Sequence, residues 1–246
     1  MNILVTNDDG FMARGIKQLA GALKEVSGCR VVVVAPETEM STTSHSLTLN
    51  RPLRCVKKGP HVYAVNGTPV DCVYMAVAAV FKGNPDLIFS GINHGANLGD
   101  DIHYSGTVAA AIEGGIRGIP SVAVSQFVVK KFNGQMAAAF AKRLLIFFKK
   151  HGLPQGLVLN VNVPESAKSF DYEITKMGKR DYGDPVVNKT DPRGRPYYWV
   201  GGSQYKFFDI KGSDCNAVVA GKISLTPLNI NMTCHVGSKA MKHWRV

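Results

Sequence analysis

Two aspartates, Asp8 and Asp9, stand side by side directly after a short apolar run near the N-terminus. Adjacent carboxylates repel each other unless protons or a cation intervene. A hard divalent cation such as Mg²⁺ or Mn²⁺ takes oxygen ligands, so such a pair can found a metal site. Helix capping or a turn explains one of the carboxylates but not both, and from the pair alone both readings stand. The second cluster is GINHGANLGDDIHYSGT at 91–107. Gly91, Gly95 and Gly99 let the backbone approach a ligand, while Asn93 and Asn97 bring amide oxygens and donors. Ser105, Gly106 and Thr107 open a helix whose unpaired N–H groups and two hydroxyls suit a phosphate; Ser105 as a plain N-cap fits the same residues. Neither GxxxxGK[ST] nor GxGxxG occurs, so neither a P-loop nor a dinucleotide fingerprint is present. His45, in STTSHS, is a candidate general acid or phosphate donor, with a solvated loop histidine as the alternative. His94 and His103, in the same glycine-rich segment, have no zinc spacing.

The elements that must position these residues follow from hydrophobic periodicity. Residues 2–6 and 30–35 read as buried strands, the second almost pure valine. Between them Ile16, Leu19, Ala20, Leu23 and Val26 recur at helical spacing, with Gly28 as the expected stop. Helices are expected over about 70–81, 107–117 and 136–150, and strands over 86–90, 121–125 and 157–163. Strands alternating with helices predict a doubly wound, mostly parallel α/β sheet over about 1–165. Ligands of such sheets sit at the carboxyl ends of the strands, where the polar clusters at 7–9, 41–46 and 93–101 fall. The remainder, about 166–246, reads as a β-rich extension of the same single domain. It has strand-like runs at 197–200 and 222–226 and a turn signal, DPRG, at 191–194. Tyr197, Tyr198 and Trp199 in series would leave an aromatic edge exposed on a monomer, so the extension is expected to pair in a dimer or larger assembly.

Composition narrows the classes. Of 246 residues, 45% are hydrophobic and 19% charged, which excludes a disordered chain. No apolar run reaches membrane-spanning length, and the N-terminus lacks the features of a signal peptide, so a cytoplasmic protein is expected. Five scattered cysteines without CxxC spacing argue against a disulfide framework and a structural zinc site. Lys and Arg number 29 against 18 Asp and Glu, a net +11 that favours phosphorylated substrates or other polyanions. The charges are spread rather than gathered into a stripe with aromatics, so no specific nucleic-acid binding is expected.

The segments ILVTNDDG, APETEMSTTSHSLTL, NGTPVDCV, SGINHGANLGDDIHYSGTVAAAIEG and DPRGRPYYWVG together resemble the SurE family of 5′/3′-nucleotidases, the survival protein E family. The resemblance runs in order along nearly the whole chain. It departs from the family pattern at Glu37, Ser41-Thr42 and Lys222, none of which removes a ligand the family would supply. It implies a SurE-like fold and hydrolysis of nucleoside monophosphates to nucleoside and phosphate, with some action on other phosphoesters and short polyphosphate. It implies one divalent cation (Mg²⁺, Mn²⁺ or Ca²⁺) on Asp8, Asp9, Ser41 and Asn93. Phosphate contacts carry over to Asn97, Ser105, Gly106 and Thr107, and a homodimer or homotetramer is implied. Asp8 or Asp9 would orient or deprotonate water, with His45 as a candidate leaving-group acid. The contrary reading is a nucleotide-binding sensor without hydrolysis, which would bind nucleotide and release no phosphate.

Overall fold

The computed structural model describes residues 1–181, 186–200 and 206–244. In chain order its elements are β1 (Asn2–Thr6), α1 (Arg14–Lys24), β2 (Arg30–Pro36), β3 (Cys55–Gly59), β4 (Val62–Val65), α2 (Pro69–Met75), β5 (Leu87–His94), α3 (Gly106–Ile116), β6 (Ser121–Phe127), α4 (Gln135–His151) and β7 (Val158–Pro164). After these come β8 (Tyr172–Ile174), β9 (Arg180–Asp181), β10 (Val186–Thr190), β11 (Pro196–Val200), β12 (Lys206–Phe207), α5 (Asp214–Val219), β13 (Ile223–Leu228) and α6 (His235–Ala240).

Nine strands form one sheet in the order β3-β4-β2-β1-β5-β6-β7-β13-β8. From β4 to β7 every neighbouring pair is parallel. Alternation explains why β1 is apolar over 3–5 and β2 over 31–35. Ile3, Val5, Val31 and Val33 face α1 and α4, whereas Leu4, Val32 and Val34 pack on the other side with Cys72, Val73 and Ala110 of α2 and α3. Covered on both faces, a parallel sheet has no polar side to show. The order reverses direction between β1 and β5, and a doubly wound sheet opens its crevice at such a switch point.

Local differences from the sequence reading have identifiable causes. α1 ends at Lys24, four residues before Gly28; that glycine, at φ +71°, makes the turn into β2 and accepts the N-terminal amine on its carbonyl. The helix expected over 70–81 is α2 followed by a π-helical turn, Ala76–Phe81. Its start is a capping box in which Thr68 and Asp71 satisfy each other's backbone N–H. β5 runs on to His94, through residues read as loop, because pairing with β6 continues across a bulge between Gly91 and Asn93. Gly91 is required there, since a Cβ would lie 2.2 Å from the Val124 carbonyl oxygen.

The segment beyond 165 divides. β13 lies in the main sheet, antiparallel to β7 and parallel to β8, and its Ile223 and Leu225 join the core. The hairpin β10–β11 stands apart, every residue exposed, and Val200 at 82%. Its turn is the expected one: Asp191 Oδ1 accepts the N–H groups of Arg193 and Arg195. Residues 182–185, 201–205 and 245–246 of the expected β-rich extension lie outside the described residues. Among the described residues no helix is long and apolar enough to cross a membrane, and the cysteines are free.

Candidate active site

Asp8 and Asp9 leave the carboxyl end of β1, and Asn93 leaves that of β5, so the two strands flanking the switch point each deliver side chains to one crevice. A cleft of about 360 Å³ results, lined by Asp8, Asp9, Glu39, Ser41, Asn93, Asn97 and Ser105 together with His94, Asp101, Tyr104 and Arg180. Most of the residues singled out from the sequence are brought together here. Gly106 and Thr107 stand immediately behind, at the start of α3.

Asp8 is almost fully buried. Its Oδ1 accepts a short hydrogen bond from the Thr107 hydroxyl, and its Oδ2 accepts the Thr107 N–H at 3.2 Å. Burial pushes the Asp8 carboxyl above its ordinary range, and the bonds from Thr107 oppose that rise. Gly106 is small for the same reason: a Cβ would meet the Asp8 Cβ at 3.0 Å and the Pro69 Cγ at 3.1 Å. Asp9 is raised to about 6, first by burial, then by the charges of Asp8 and Glu39. Three carboxylates crowd one end of the cleft.

Neutral oxygens complete the donor set. Asn93 Nδ2 donates to the Gly95 carbonyl, which leaves its Oδ1 as the available donor to a cation. The Ser41 hydroxyl donates to Glu39 and keeps its lone pairs. Among the described residues no three His, Cys, Asp or Glu side chains gather as a metal cluster. A cation here would therefore rest on two carboxylates, a hydroxyl and an amide. That chemistry suits a hard divalent ion.

The phosphate candidates differ in what remains open to them. The Asn97 N–H donates to Asn162 Oδ1 at 2.8 Å, its Nδ2 donates to Ser125, and its carbonyl accepts from Asn160 and Asn162. Ser105 is the N-cap of α3, its hydroxyl accepting the Val108 N–H at 3.1 Å. Thr107 has committed both its hydroxyl and its N–H to Asp8, so it holds a carboxylate rather than facing a phosphate.

His45 is not brought to the cleft. Its Nε2 lies 3.1 Å from Glu113 Oε2, and Arg117 holds the other Glu113 oxygen at 2.7 Å. Burial pushes the Glu113 carboxyl up, but the hydrogen bonds from His45 and Arg117 outweigh it and hold the group below its usual range. The Arg117 guanidinium also sits 3.8 Å from the Tyr74 ring centroid. His45, read from the sequence as a candidate leaving-group acid, is in this structure bonded to Glu113 and ties the loop that carries Ser41 to α3.

Four contributors were not singled out from the sequence. Arg180 donates from Nη1 to both oxygens of Asp101, each at 3.0 Å, and brings a cation to the cleft. Asp214 accepts the N–H groups of Gly99 and Gly178, so the tail braces the glycine-rich loop. Asn160 and Asn162 had a visible signal: they alternate with apolar residues in LNVNV, where a buried strand should carry none.

Comparison with known proteins concerns the chain as a whole. The model of the family described as "Survival protein SurE" matches residues 3–184. A relative from Geobacter metallireducens named 5′-nucleotidase SurE is 47% identical over 247 residues, spanning 99% of this chain and 97% of its own. One of the same name from Myxococcus xanthus is 45% identical over 246 residues, spanning 99% and 93%. The crystal structure of the SurE protein from Aquifex aeolicus superposes with a TM-score of 0.87 at 39% identity, covering 99% of each chain.

Proposed function

This chain belongs to the SurE family, and we infer from that membership that it is a 5′-nucleotidase, a phosphoric monoester hydrolase that releases phosphate from nucleoside monophosphates. The observation that carries the reading to particular residues is the meeting of Asp8, Asp9 and Asn93 across the β1/β5 switch point. We propose that one divalent cation is held there by Asp8, Asp9, Ser41 and Asn93. The state of Asp9 supports this: burial first, and then the charges of Asp8 and Glu39, lift it to about 6, and a cation would offset both. When bound, such an ion supplies Lewis acidity towards a phosphoryl oxygen and lowers the pKa of water.

The chain's own groups do the rest. Thr107 and Gly106 fix the Asp8 carboxylate against α3. Asp9, the more open of the pair, is placed to orient a water or accept its proton. Asn97 and Ser105 line the cleft where phosphoryl oxygens would lie, and Gly106 opens the helix toward them. Arg180, oriented by its paired bonds to Asp101, supplies positive charge toward a substrate phosphate. Hydrolysis of 3′ esters, other phosphoesters and short polyphosphate belongs to the same proposal. So do a cytoplasmic setting and a homodimer or homotetramer joined through the exposed β10–β11 hairpin.

The test is phosphate release from nucleoside monophosphates and simple phosphoesters with Mg²⁺, Mn²⁺ or Ca²⁺, against a chelator control. Release only with metal is expected. Nucleotide binding with no release under any metal would favour the sensor instead.

A further inference from the structure

A second, larger cavity of about 840 Å³ opens on the same edge of the sheet, lined in part by Arg14, Gln126, Phe132, Asn133, Gln135 and Phe170. It borders the acidic cleft. His94 lines the cleft, and its ring centroid lies 4.9 Å from that of Phe132, so this ring pair stands between the two spaces. The same partition is stitched by hydrogen bonds. Asn93 Nδ2 donates to the Gly95 carbonyl, and the Gly95 N–H donates to the Gln126 carbonyl at 3.1 Å.

The loop at 128–134 that carries Phe132 is fixed before any ligand arrives. Gln126 Oε1 accepts the N–H groups of Asn133 and Gly134. The Glu165 carboxylate accepts those of Val129, Lys130 and Lys131, and Gln18 donates to the Asn133 carbonyl. With its backbone satisfied from outside, the loop presents the Phe132 ring and the Asn133 amide to the cavity, beside Gln135 at the start of α4 and Arg14 at the start of α1. A preorganised wall loses little freedom on binding.

We propose that this cavity is the nucleoside subsite of the enzyme, holding base and ribose against Phe132 while the phosphate occupies the acidic cleft across His94. The proposal rests on the nucleotidase reading and adds where selectivity for a nucleoside resides. Flat faces at Phe132 and Phe170 suit stacking on a base. The amides of Asn133 and Gln135 offer both donors and acceptors to a base edge, and Arg14 brings donors to ring oxygens or ribose hydroxyls. The cleft is too rich in carboxylates to prefer a base, and of the rings that line it His94 is already paired with Phe132, which leaves the exposed ring of Tyr104 as the competing stacking face.

The experiment measures kcat/KM for AMP and for glycerol 2-phosphate on the metal-loaded full chain, and takes their ratio. Phe132→Leu keeps an apolar side chain beside the core while removing the flat face. Gln135→Ala changes an exposed residue and leaves the fold alone. The ratio is expected to fall about ten-fold in Phe132→Leu and several-fold in Gln135→Ala. Adenosine, which has no phosphate, should inhibit AMP hydrolysis in the wild type and lose potency in both variants. An unchanged ratio in Gln135→Ala together with equal loss on both substrates in Phe132→Leu overturns the subsite. A fall confined to Tyr104→Ala overturns it too, placing the base in the cleft. A wild type that cleaves glycerol 2-phosphate and AMP equally well keeps the hydrolase and removes the subsite. A wild type that releases phosphate from neither removes the nucleotidase reading itself, and the subsite with it.

Discussion

Asp8 and Ser41 are proposed to hold the same cation, yet they are carried by opposite kinds of structure. Asp8 sits at the end of a core strand, nearly inaccessible, with its carboxylate tied to Thr107 and a glycine cut to fit behind it. Ser41 is exposed, on a loop where Thr42 and Ser44, neither of them glycine, adopt φ of 58° and 52°. That loop is fastened at intervals: the Met40 N–H to the Asp8 carbonyl, Ser44 to the Tyr104 carbonyl, His45 to Glu113, the Ser46 carbonyl to the Thr68 hydroxyl, and Thr48 to Asp71. One half of the site is set by folding of the sheet, and the other is an arm laid across it. The difference teaches where perturbation should be felt: losses on the core side should abolish chemistry, and losses on the arm should weaken metal affinity.

The largest effect should come from Asp8→Asn. It keeps the shape of the side chain and removes a charge from the metal pair. Losing even an outer partner of a ligand costs about 10–100-fold, so losing a ligand should lower kcat/KM by more than about 100-fold. The apo protein should melt at an equal or higher temperature in chelator, because burial, and then the charge of Glu39, disfavour the charge removed. Near-normal turnover at limiting metal would remove Asp8 from the site. Next is Thr107→Val, which has the same shape without the hydroxyl. It leaves the Asp8 carboxylate short of one partner, and a 10–100-fold loss of activity is expected, with metal affinity reduced. If phosphate affinity alone changed, Thr107 would be a substrate contact after all.

How much of this was legible varies along the same divide. β1, β2 and the helices were visible because burial on both faces leaves continuous apolar runs, and the polar clusters at strand ends followed. Gly91, Asn93 and His94 read as loop because a bulge needs the residues that loops use. Arg180 and Asp214 were missed because their partners, Asp101 and Gly99, lie 79 and 115 positions away. A tail taken as an extension in fact supplies two strands to the main sheet. His45 looked chemical beside its hydroxyl neighbours; its partner Glu113, 68 positions on, gives it a structural task. Periodicity reports an element's own faces and says nothing about which distant side chain meets it.

On the arm, Ser41→Ala removes one neutral ligand while Asp8, Asp9 and Asn93 remain. The expected result is a rise in the metal concentration for half-maximal activity, about ten-fold or less, with kcat at saturating metal within a few-fold of wild type. Titrating Mn²⁺ at fixed AMP measures both. A kcat loss as deep as that of Asp8→Asn, not recovered by metal, would erase the contrast between core and arm.

The smallest effect tests the anchor of the arm. Glu113 has only 4% of its side chain exposed and lies between His45 and Arg117, outside the cleft. Glu113→Gln keeps one hydrogen bond and removes the charge that both partners address. Hydrogen bonds to charged groups contribute about 1.5–3 kcal/mol, so the variant should lose on the order of 2 kcal/mol, a fall in Tm of roughly 4–8 °C for a chain this size. The pH dependence has a definite sign. The Glu113 carboxyl is held below its ordinary 4.5 in the folded chain. Its ionised form therefore stabilises the fold fully above 4.5, and that contribution is lost as pH falls through the lowered folded value. The Tm gap between wild type and Glu113→Gln should close as pH falls below 4.5. Activity should change less than in Ser41→Ala, since Thr48 and Asp71 still fasten the arm beyond His45. A gap that widens in acid would mean the carboxyl is destabilising where it sits. A loss of turnover larger than that of Ser41→Ala would mean the arm is held from this one point, and that Ser41 owes its place to an ion pair on α3.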